Sequence, residues 1–183
     1  MNTILFLTNN QNALALADWL RDQGENAIIS GDRIDKGFID KRGIEFIVSF
    51  NYRSIIIDEV IRALPRRVIN LHIGYLPFNR GASPNLWSFI EQTPSGVTIH
   101  EVDRGIDTGD ILLQEKIAFD YKKETLASAY AKSLDLIQSL FKSRWSELKN
   151  LSINAVKQTG GGGGGRITAR QRVSRSNPRS ITT

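Results

Sequence analysis

Residues 45–72 read EFIVSFNYRSIIIDEVIRALPRRVINLH, and their pattern predicts the architecture of the domain. The first and last segments, 45–50 and 67–72, are short runs rich in β-branched and aromatic residues, which is typical of strands buried on both faces of a sheet. Residues 54–64 between them have the composition of a helix, which ends before Pro65. A strand, a helix and a second strand in this order predict a βαβ unit with two parallel strands.

The same alternation extends toward the N-terminus. Residues 3–8 (TILFLT) predict a buried strand, and the asparagine-rich residues 9–12 can cap a helix that ends near Gly24. Residues 27–29 predict another short strand. Residues 31–44 are charged and contain three glycines, so we predict a loop or one irregular helical turn there. Strands that alternate with helices predict an α/β fold with a Rossmann-like, mostly parallel open sheet.

Beyond His72 the pattern changes to loops and paired strands. Glycines and prolines within 73–84 predict a loop at the carboxyl end of a strand, where open α/β sheets usually place their sites. Ser83 and Pro84 suit the N-cap and first turn of a further helix. The remaining elements are predicted as strands over 97–103 and 111–119, joined by the turn 104–110, and a long helix over 124–149.

Charge and glycine content set the C-terminal part of the chain apart. The 183 residues carry a net charge of +5, but six of the 24 basic residues and none of the 19 acidic ones lie from Lys157 onward, so residues 1–156 are close to neutral. Six consecutive glycines at 160–165 predict a flexible tether. We therefore predict one folded domain over residues 1–150, followed by a glycine-rich tether and a basic tail over 151–183.

The composition excludes several classes of protein. Hydrophobic residues make up 40% and charged residues 23% of the chain, as in an ordinary globular domain. The sequence has no uncharged apolar run long enough to span a membrane, and its first residues lack the basic start of a secretory signal, so we expect a cytoplasmic protein. Because the sequence contains no cysteine, disulfides and cysteine-ligated metal sites are excluded.

Asn70 and His72 are the first candidates for chemistry. They lie two residues apart at the end of a predicted strand, so their side chains point to the same side of the sheet. An amide can polarise a carbonyl group, and an imidazole can donate or accept a proton near neutral pH. Asp107, flanked by Gly105 and Gly109 in the turn between the last two strands, is a third candidate. If that turn closes over the same strand end, Asp107 would raise the pKa of His72.

From spacing alone, other interpretations stay open. A single histidine at a strand end is often a structural residue, and Asp103, Asp107 and Asp110 are also consistent with ordinary turn residues that bond their own backbone. A divalent metal is a further alternative, but the residues between these aspartates break the ligand spacing of a calcium loop, and we predict no metal. His100, on the strand before the turn, is assigned to packing or to support of the other residues.

Two blocks of sequence resemble the formyltransferases that use 10-formyltetrahydrofolate. The first is NLHIGYLP at 70–77, followed by RG at 80–81 and PNLW at 84–87. The second is GVTIH at 96–100 and VD at 102–103, followed by GIDTGDIL at 105–112. The blocks are similar to those of that family in order and in distance. The resemblance implies that residues 1–150 form a formyltransferase catalytic domain that transfers a one-carbon formyl group from a folate.

The resemblance also implies roles for individual residues. The family's catalytic asparagine, histidine and aspartate correspond to Asn70, His72 and Asp107. Asn70 and a protonated His72 would stabilise the oxyanion that develops on the formyl oxygen, and Asp107 would orient His72 and accept a proton from the attacking amine. By family position, the residues expected to bind the 10-formyltetrahydrofolate cofactor are Phe50, Tyr52, Arg53, Ile55, Leu76, Asp103, Gly105 and Ile106.

The acceptor is expected to be a small primary amine. The first block is most similar to the sugar N-formyltransferases, which implies an amino sugar linked to a nucleotide, with Tyr75, Arg80 and Trp87 on the acceptor side. Tyr75 and Trp87 are equally compatible with a homodimer interface. Formylation of glycinamide ribonucleotide, in purine synthesis, is the nearest alternative within the family. Formylation of methionyl-tRNA is not expected, because the sequence continues with polyglycine where those enzymes have a further domain.

Two alternatives come from other classes of protein. The arginine-rich residues 166–179 would suit a nucleic-acid-binding module, although a solvated basic segment binds any polyanion weakly, and we expect no nucleic-acid partner. A dinucleotide-binding dehydrogenase would need a glycine-rich turn after the first strand. Residues 8–12 (TNNQN) contain no glycine, so the dinucleotide-binding fingerprint is absent.

Overall fold

The structure is a computed structural model, which describes residues 1–120 and 122–159. Its strands are β1 (Thr3–Leu7), β2 (Asn26–Ser30), β3 (Phe46–Phe50), β4 (Val68–His72), β5 (Gly96–Glu101) and β6 (Ile111–Lys116). Its α-helices are α1 (Leu14–Asp22), α2 (Lys36–Arg42), α3 (Asp58–Ala63), α4 (Pro84–Glu91) and α5 (Leu126–Lys149), and a short 3₁₀ helix (Gln11–Ala13) precedes α1.

The strands of the described residues form one sheet in the order β2-β1-β3-β4-β5-β6. Strands β2, β1, β3 and β4 run parallel to their neighbours, whereas β5 and β6 pair antiparallel. Consecutive parallel strands need a crossover connection, and α1, α2 and α3 supply these connections here. The predicted α/β fold with a mostly parallel open sheet and a long C-terminal helix is therefore confirmed.

Apolar layers cover both faces of the sheet. On one face, Phe46 contacts Trp145 of α5 in an edge-to-face ring pair, and α1 packs beside them. On the other face, Leu5 and Ile47 pack with Ile39 of α2 and Val60 of α3. Burial on both faces explains why the parallel strands are continuously apolar in sequence. Burying this apolar surface is the main favourable contribution to the stability of the fold.

The region 31–44 contains a regular helix, α2, where the sequence predicted a loop or one irregular turn. The Asp35 carboxylate accepts a hydrogen bond from the Phe38 N–H at 2.7 Å, which caps the N-terminus. Gly43 ends the helix in a left-handed conformation. Of the three glycines that suggested a loop, Gly31 precedes the helix, Gly37 lies in its first turn and Gly43 ends it. Ile39, which is 3% exposed, anchors the helix to the sheet.

The helix predicted over 54–64 begins later, at Asp58. Residues 54–57 leave β3 in a loop, and Ile57 precedes the helix in an extended conformation. Ile55 and Ile57 are 49% and 42% exposed, while Ile56 is buried. The sequence alone did not distinguish this apolar loop from a helical core segment. Its exposure places apolar groups where a ligand can reach them.

The second half of the chain follows the predicted order with small changes at the helix ends. Pro84 occupies the first turn of α4 as predicted, but Ser83 has a left-handed backbone and makes no side-chain cap. Helix α5 begins at Leu126 with a reciprocal capping box between Thr125 and Ser128. Within the described part of the chain, none of the helices has the length and apolar character needed to cross a bilayer.

Residues 151–159, which sequence analysis grouped with the tail, lie against the sheet. The backbone of Val156 pairs antiparallel with Ile111 at the start of β6. Leu151 and Ile153 pack against the core. The polyglycine run and the basic residues that follow it, predicted to be a flexible tether and tail, lie outside the described residues.

Candidate active site

Three side chains that sequence analysis selected converge at the carboxyl end of β4. Asn70 and His72 lie on the same side of this strand, and the turn after β5 carries Asp107 to them. The Asn70 amide nitrogen donates to Asp107 Oδ1 at 3.3 Å, and His72 Nδ1 lies 3.6 Å from Asp107 Oδ2. The structure therefore brings an amide, an imidazole and a carboxylate into one cluster.

His100 belongs to the same cluster. Its Nδ1 lies 2.7 Å from the Glu101 carbonyl oxygen, which can only accept, so Nδ1 carries a proton. Nε2 lies 3.2 Å from the Asn70 amide nitrogen and 3.4 Å from Asp107 Oδ1. Sequence analysis gave His100 a packing or supporting role without placing it here. His100 reaches the cluster because the antiparallel pairing of β4 and β5 sets it opposite Asn70. This register is known only once the strands are paired.

The turn that carries Asp107 is held in an unusual backbone conformation. Asp107 itself has φ 52°, in the left-handed region that costs an L-residue about 1–2 kcal/mol. Gly81 N–H donates to its carboxylate at 2.8 Å, and the Gln158 amide donates to its carbonyl at 3.0 Å. These bonds fix Asp107 from both its side chain and its backbone.

Gly105 and Gly109 flank Asp107, but the left-handed residue of the turn is Asp107 itself. The two glycines are needed for close packing within the turn. A Cβ atom on Gly105 would lie 1.8 Å from Thr108 Oγ1, and one on Gly109 would lie 1.8 Å from the Glu101 carbonyl oxygen.

Burial and neighbouring charges change the pKa of two groups in the cluster. Burial raises the pKa of Asp107, but His72, His100 and the Gly81 N–H together hold it well below its usual range. Burial lowers the pKa of His72, and His100 lowers it further, while Asp107 and the Asn79 carbonyl only partly offset these effects. Asp107 raises the pKa of His72 as expected, but burial outweighs this effect. The net pKa of His72 is lowered, so His72 is neutral at neutral pH.

The cluster faces a cleft of about 1270 Å³. Cleft-lining residues in the predicted cofactor set are Tyr52, Arg53, Ile55, Asp103, Gly105 and Ile106. The other two do not line it: Phe50 is fully buried in the core and Leu76 is 1% exposed. A cleft of this size at the carboxyl ends of parallel strands is a typical ligand site of an open α/β sheet.

The predicted acceptor residues lie outside the walls of this cleft. The Tyr75 ring lies 5.1 Å from Lys116 Nζ, and the Arg80 guanidinium is bound to Gln158. Trp87 is half-buried on α4. The wall of the cleft at the start of α4 is formed by residues that sequence analysis did not select for the site. These residues are Ala82, Ser83, Pro84, Asn85, Leu86, Leu126 and Tyr130.

The wall formed by the residues that follow β3 offers both apolar and polar contacts. The exposed side chain of Ile55 can cover one face of a flat ring. The Asn51 amide nitrogen is buried without a hydrogen-bond partner, a condition that a ligand oxygen or ring nitrogen would relieve. Asn9 also lines this wall, and its side-chain oxygen accepts from the Arg53 N–H at 2.9 Å. This wall therefore fits a flat, polar-edged ring such as the pterin of a folate.

Comparison with known proteins agrees with the fold. Residues 31–143 match the family model described as Formyl transferase. A formyltransferase structure from Anoxybacillus kamchatkensis, in complex with UDP-4,6-dideoxy-4-formamido-L-AltNAc and tetrahydrofolate, is 35% identical to this chain. The match covers 94% of this chain and 89% of that one, with a TM-score of 0.84.

Two further relatives extend the comparison. Methionyl-tRNA formyltransferase from Lachnospira eligens is 34% identical over 128 residues, which are 65% of this chain but only 40% of that enzyme. Glycinamide ribonucleotide transformylase 1 from Symbiobacterium toebii shares the fold, with a TM-score of 0.68 at 14% identity over 86% of this chain and 95% of that one. The family model covers more than half of the sequence, and the resemblance predicted from the two sequence blocks is confirmed: this chain belongs to the formyl transferase family.

Proposed function

We propose that the protein transfers a formyl group from 10-formyltetrahydrofolate to the primary amine of a small amino sugar linked to a nucleotide. The observation that carries the proposal is the cluster of Asn70, His72 and Asp107 at the edge of a cleft of about 1270 Å³. The sugar acceptor is supported by the relative from Anoxybacillus kamchatkensis, whose structure contains a nucleotide-linked formamido sugar and tetrahydrofolate.

The bond changes follow from this pairing of substrates. The acceptor amine attacks the formyl carbon, so a new C–N bond forms and negative charge develops on the formyl oxygen. Collapse of this intermediate breaks the bond between the formyl carbon and folate N10, and tetrahydrofolate leaves. One proton must move from the amine to N10. No metal and no covalent bond to the protein is needed.

In the proposed reaction, neutral His72 carries that proton. It accepts the proton as the amine attacks, becomes an imidazolium beside the Asp107 carboxylate, and then donates the proton to N10. Asp107, at 3.6 Å, stabilises this charged intermediate form. His72 thus begins the cycle neutral, which replaces the protonated starting state that we expected from sequence.

Asn70 stabilises the developing oxyanion. Its amide nitrogen donates to Asp107 Oδ1 at 3.3 Å and lies 3.2 Å from His100 Nε2. Hydrogen bonds of this length can be exchanged for a stronger one to the reacting group. A preorganised donor of this kind contributes about 10²–10³ in rate.

The residues expected to hold the folate are those of the wall that follows β3. Ile55 supplies an apolar surface and Asn51 an amide donor without a partner. Tyr52, Arg53 and the turn at 103–106 complete that wall. The acceptor is expected on the side of Ser83–Leu86 and Tyr130, which leaves its amine between the folate and His72.

The direct test is to incubate the protein with 10-formyltetrahydrofolate and a panel of primary amines. The panel contains nucleotide-linked amino sugars, the corresponding free sugars and glycinamide ribonucleotide, and mass spectrometry detects the gain of one formyl group. We expect formylation of a nucleotide-linked sugar by the wild-type protein and none by His72→Ala. Formylation of glycinamide ribonucleotide alone would overturn the sugar assignment, and no product with any amine would overturn the proposed activity.

A further inference from the structure

The residues after α5 return to the site through a short segment, which we define as the return segment, residues 151–159. The backbones of Val156 and Ile111 exchange two hydrogen bonds of 2.8 Å, which places the segment beside the start of β6. Arg66 donates to the Ile153 carbonyl at 3.2 Å and anchors the segment further back. The return segment is therefore a bound part of the domain.

Gln158, near the end of this segment, uses its side-chain amide to join two loops. Its nitrogen donates to the carbonyl oxygens of Asp107 and Gly109, at 3.0 and 2.7 Å. Its oxygen accepts from Nε and Nη2 of Arg80, at 3.1 and 2.7 Å. One side chain thus connects the loop that follows His72 to the turn that carries Asp107.

The same two loops meet at a second point next to the first. Gly81, the neighbour of Arg80, donates its N–H to the Asp107 carboxylate at 2.8 Å. The carboxylate of Asp107 is therefore held by Gly81, and the carbonyl of the same residue is held by Gln158. Since Asp107 has a left-handed backbone, its conformation depends on such contacts from outside the turn.

We propose that Gln158 is a positioning residue, which holds the Asp107 carboxylate against His72 by fixing the backbone of the turn to the loop of Arg80. The expected effect of Gln158 on catalysis rests on the function proposed above. The expected effect of Gln158 on the geometry of Asp107 and His72 is independent of that function. Gln158 lies in the return segment, outside both sequence blocks that resemble the family.

The first test compares the steady-state kinetics of Gln158→Met with those of Lys157→Met. The first variant keeps the length of the side chain and removes every hydrogen bond. The second changes an exposed neighbour in the same segment. A displacement of about 1 Å at a reacting group can cost about 10²-fold in rate, so we expect kcat to fall about 10- to 100-fold in Gln158→Met. KM for both substrates should change by less than about threefold, and Lys157→Met should match the wild type.

The second test does not depend on turnover. The chain contains two histidines, so the imidazole C–H signals in an NMR titration give two curves, which the His100→Gln variant assigns. Asp107 and His100 are the groups that shift the pKa of His72 through charge, and Asp107 raises it. Displacement of Asp107 in Gln158→Met should therefore lower the pKa of His72, and Lys157→Met should leave it unchanged.

A third variant, Gln158→Glu, distinguishes the hydrogen bonds that the Gln158 side chain donates from those that it accepts. Glutamate keeps an acceptor for Arg80 but cannot donate to the carbonyls of Asp107 and Gly109. We expect it to be impaired like Gln158→Met, and wild-type kcat in this variant would overturn the assignment. Unchanged kcat together with an unchanged His72 titration in Gln158→Met would also overturn it. If the wild-type protein formylates none of the amines, the proposed function fails, and the titration still decides the role of Gln158.

Discussion

The imidazole of His72 lies between two oxygen atoms that can accept hydrogen bonds. Nε2 is 3.3 Å from the Asn79 carbonyl oxygen, and Nδ1 is 3.6 Å from Asp107 Oδ2. Either neutral tautomer therefore leaves one nitrogen lone pair facing an oxygen. The imidazolium form would satisfy both oxygens, but burial opposes its charge. This balance suits a residue that takes up a proton transiently and releases it.

The pKa of His72 predicts how stability depends on pH. The folded-state pKa is lowered, so the unfolded chain binds a proton more readily, beginning near the ordinary histidine pKa of about 6.5. The free energy of unfolding should therefore fall as the pH drops from about 7.5 to about 5. Urea unfolding of the wild type and of His72→Gln across this range tests the effect, because the variant should show a flatter dependence. Parallel curves would contradict it.

The negative charge of Asp107 gives a prediction for the rate of catalysis. Asp107→Asn keeps an oxygen for the Gly81 N–H but removes the negative charge beside His72. The imidazolium formed during proton transfer then loses its stabilising partner, and kcat should fall by about 10²–10⁴. The circular dichroism spectrum should stay that of the wild type, because the bond to Gly81 survives. A kcat within a few-fold of the wild type would remove Asp107 from the proposed mechanism.

The elements of the sheet were predictable because their residues are buried on both faces. Phe46–Phe50 and Val68–His72 agree with the predicted strands to within one residue. Helix α2 was not predicted, since its 7 residues bury only Ile39 and its main signals are the caps Asp35 and Gly43. Local capping is weak evidence in a sequence where glycines also suggest a loop. The start of α3 was misplaced for a related reason, because exposed apolar residues resemble a helical core.

Gly37 provides a test of the assignment of α2. It lies inside this helix, and a Cβ atom there would meet only Asp35 Oδ1, at an ordinary 3.4 Å. Alanine lowers the entropy of the unfolded chain and favours the helix, so Gly37→Ala should stabilise the protein by about 0.5–1 kcal/mol. Thermal and urea unfolding measure this change.

Gly109→Ala is the matched contrast to Gly37→Ala. Its Cβ atom would lie 1.8 Å from the Glu101 carbonyl oxygen, which is backbone and cannot rotate away. Displacement of the turn should destabilise the protein by about 1–3 kcal/mol. A destabilised Gly37→Ala would indicate that residues 36–42 are not helical in solution.

At the scale of the whole molecule, the candidate site combines residues whose proximity can be predicted from sequence with residues whose proximity cannot. Strand alternation places Asn70 beside His72, and the family resemblance relates both to Asp107. His100 joins them through the antiparallel pairing of β4 and β5, and Gln158 joins them through the return segment after α5. These contacts depend on how distant elements meet. No periodicity within an element can indicate them.

Two truncations of the given sequence test the role of the return segment. A chain that ends at Thr159 keeps every described contact of Gln158, and its kcat should match that of the full sequence. A chain that ends at Ala155 keeps Leu151 and Ile153 in the core but loses the Val156 pairing and Gln158. It should fold, as judged by circular dichroism, and lose about 10- to 100-fold in kcat because Asp107 is released.

The same pair of truncations addresses the alternative of a nucleic-acid-binding module. The basic residues 166–179 are absent from both shortened chains. If the protein acted through this basic segment, both truncations would abolish function equally, and polyanion binding that decreases with salt would be lost with them. If it acts through the cluster at Asp107, only the shorter chain is impaired. Equal kcat in the two truncated chains, whether high or low, would contradict the role assigned to the return segment.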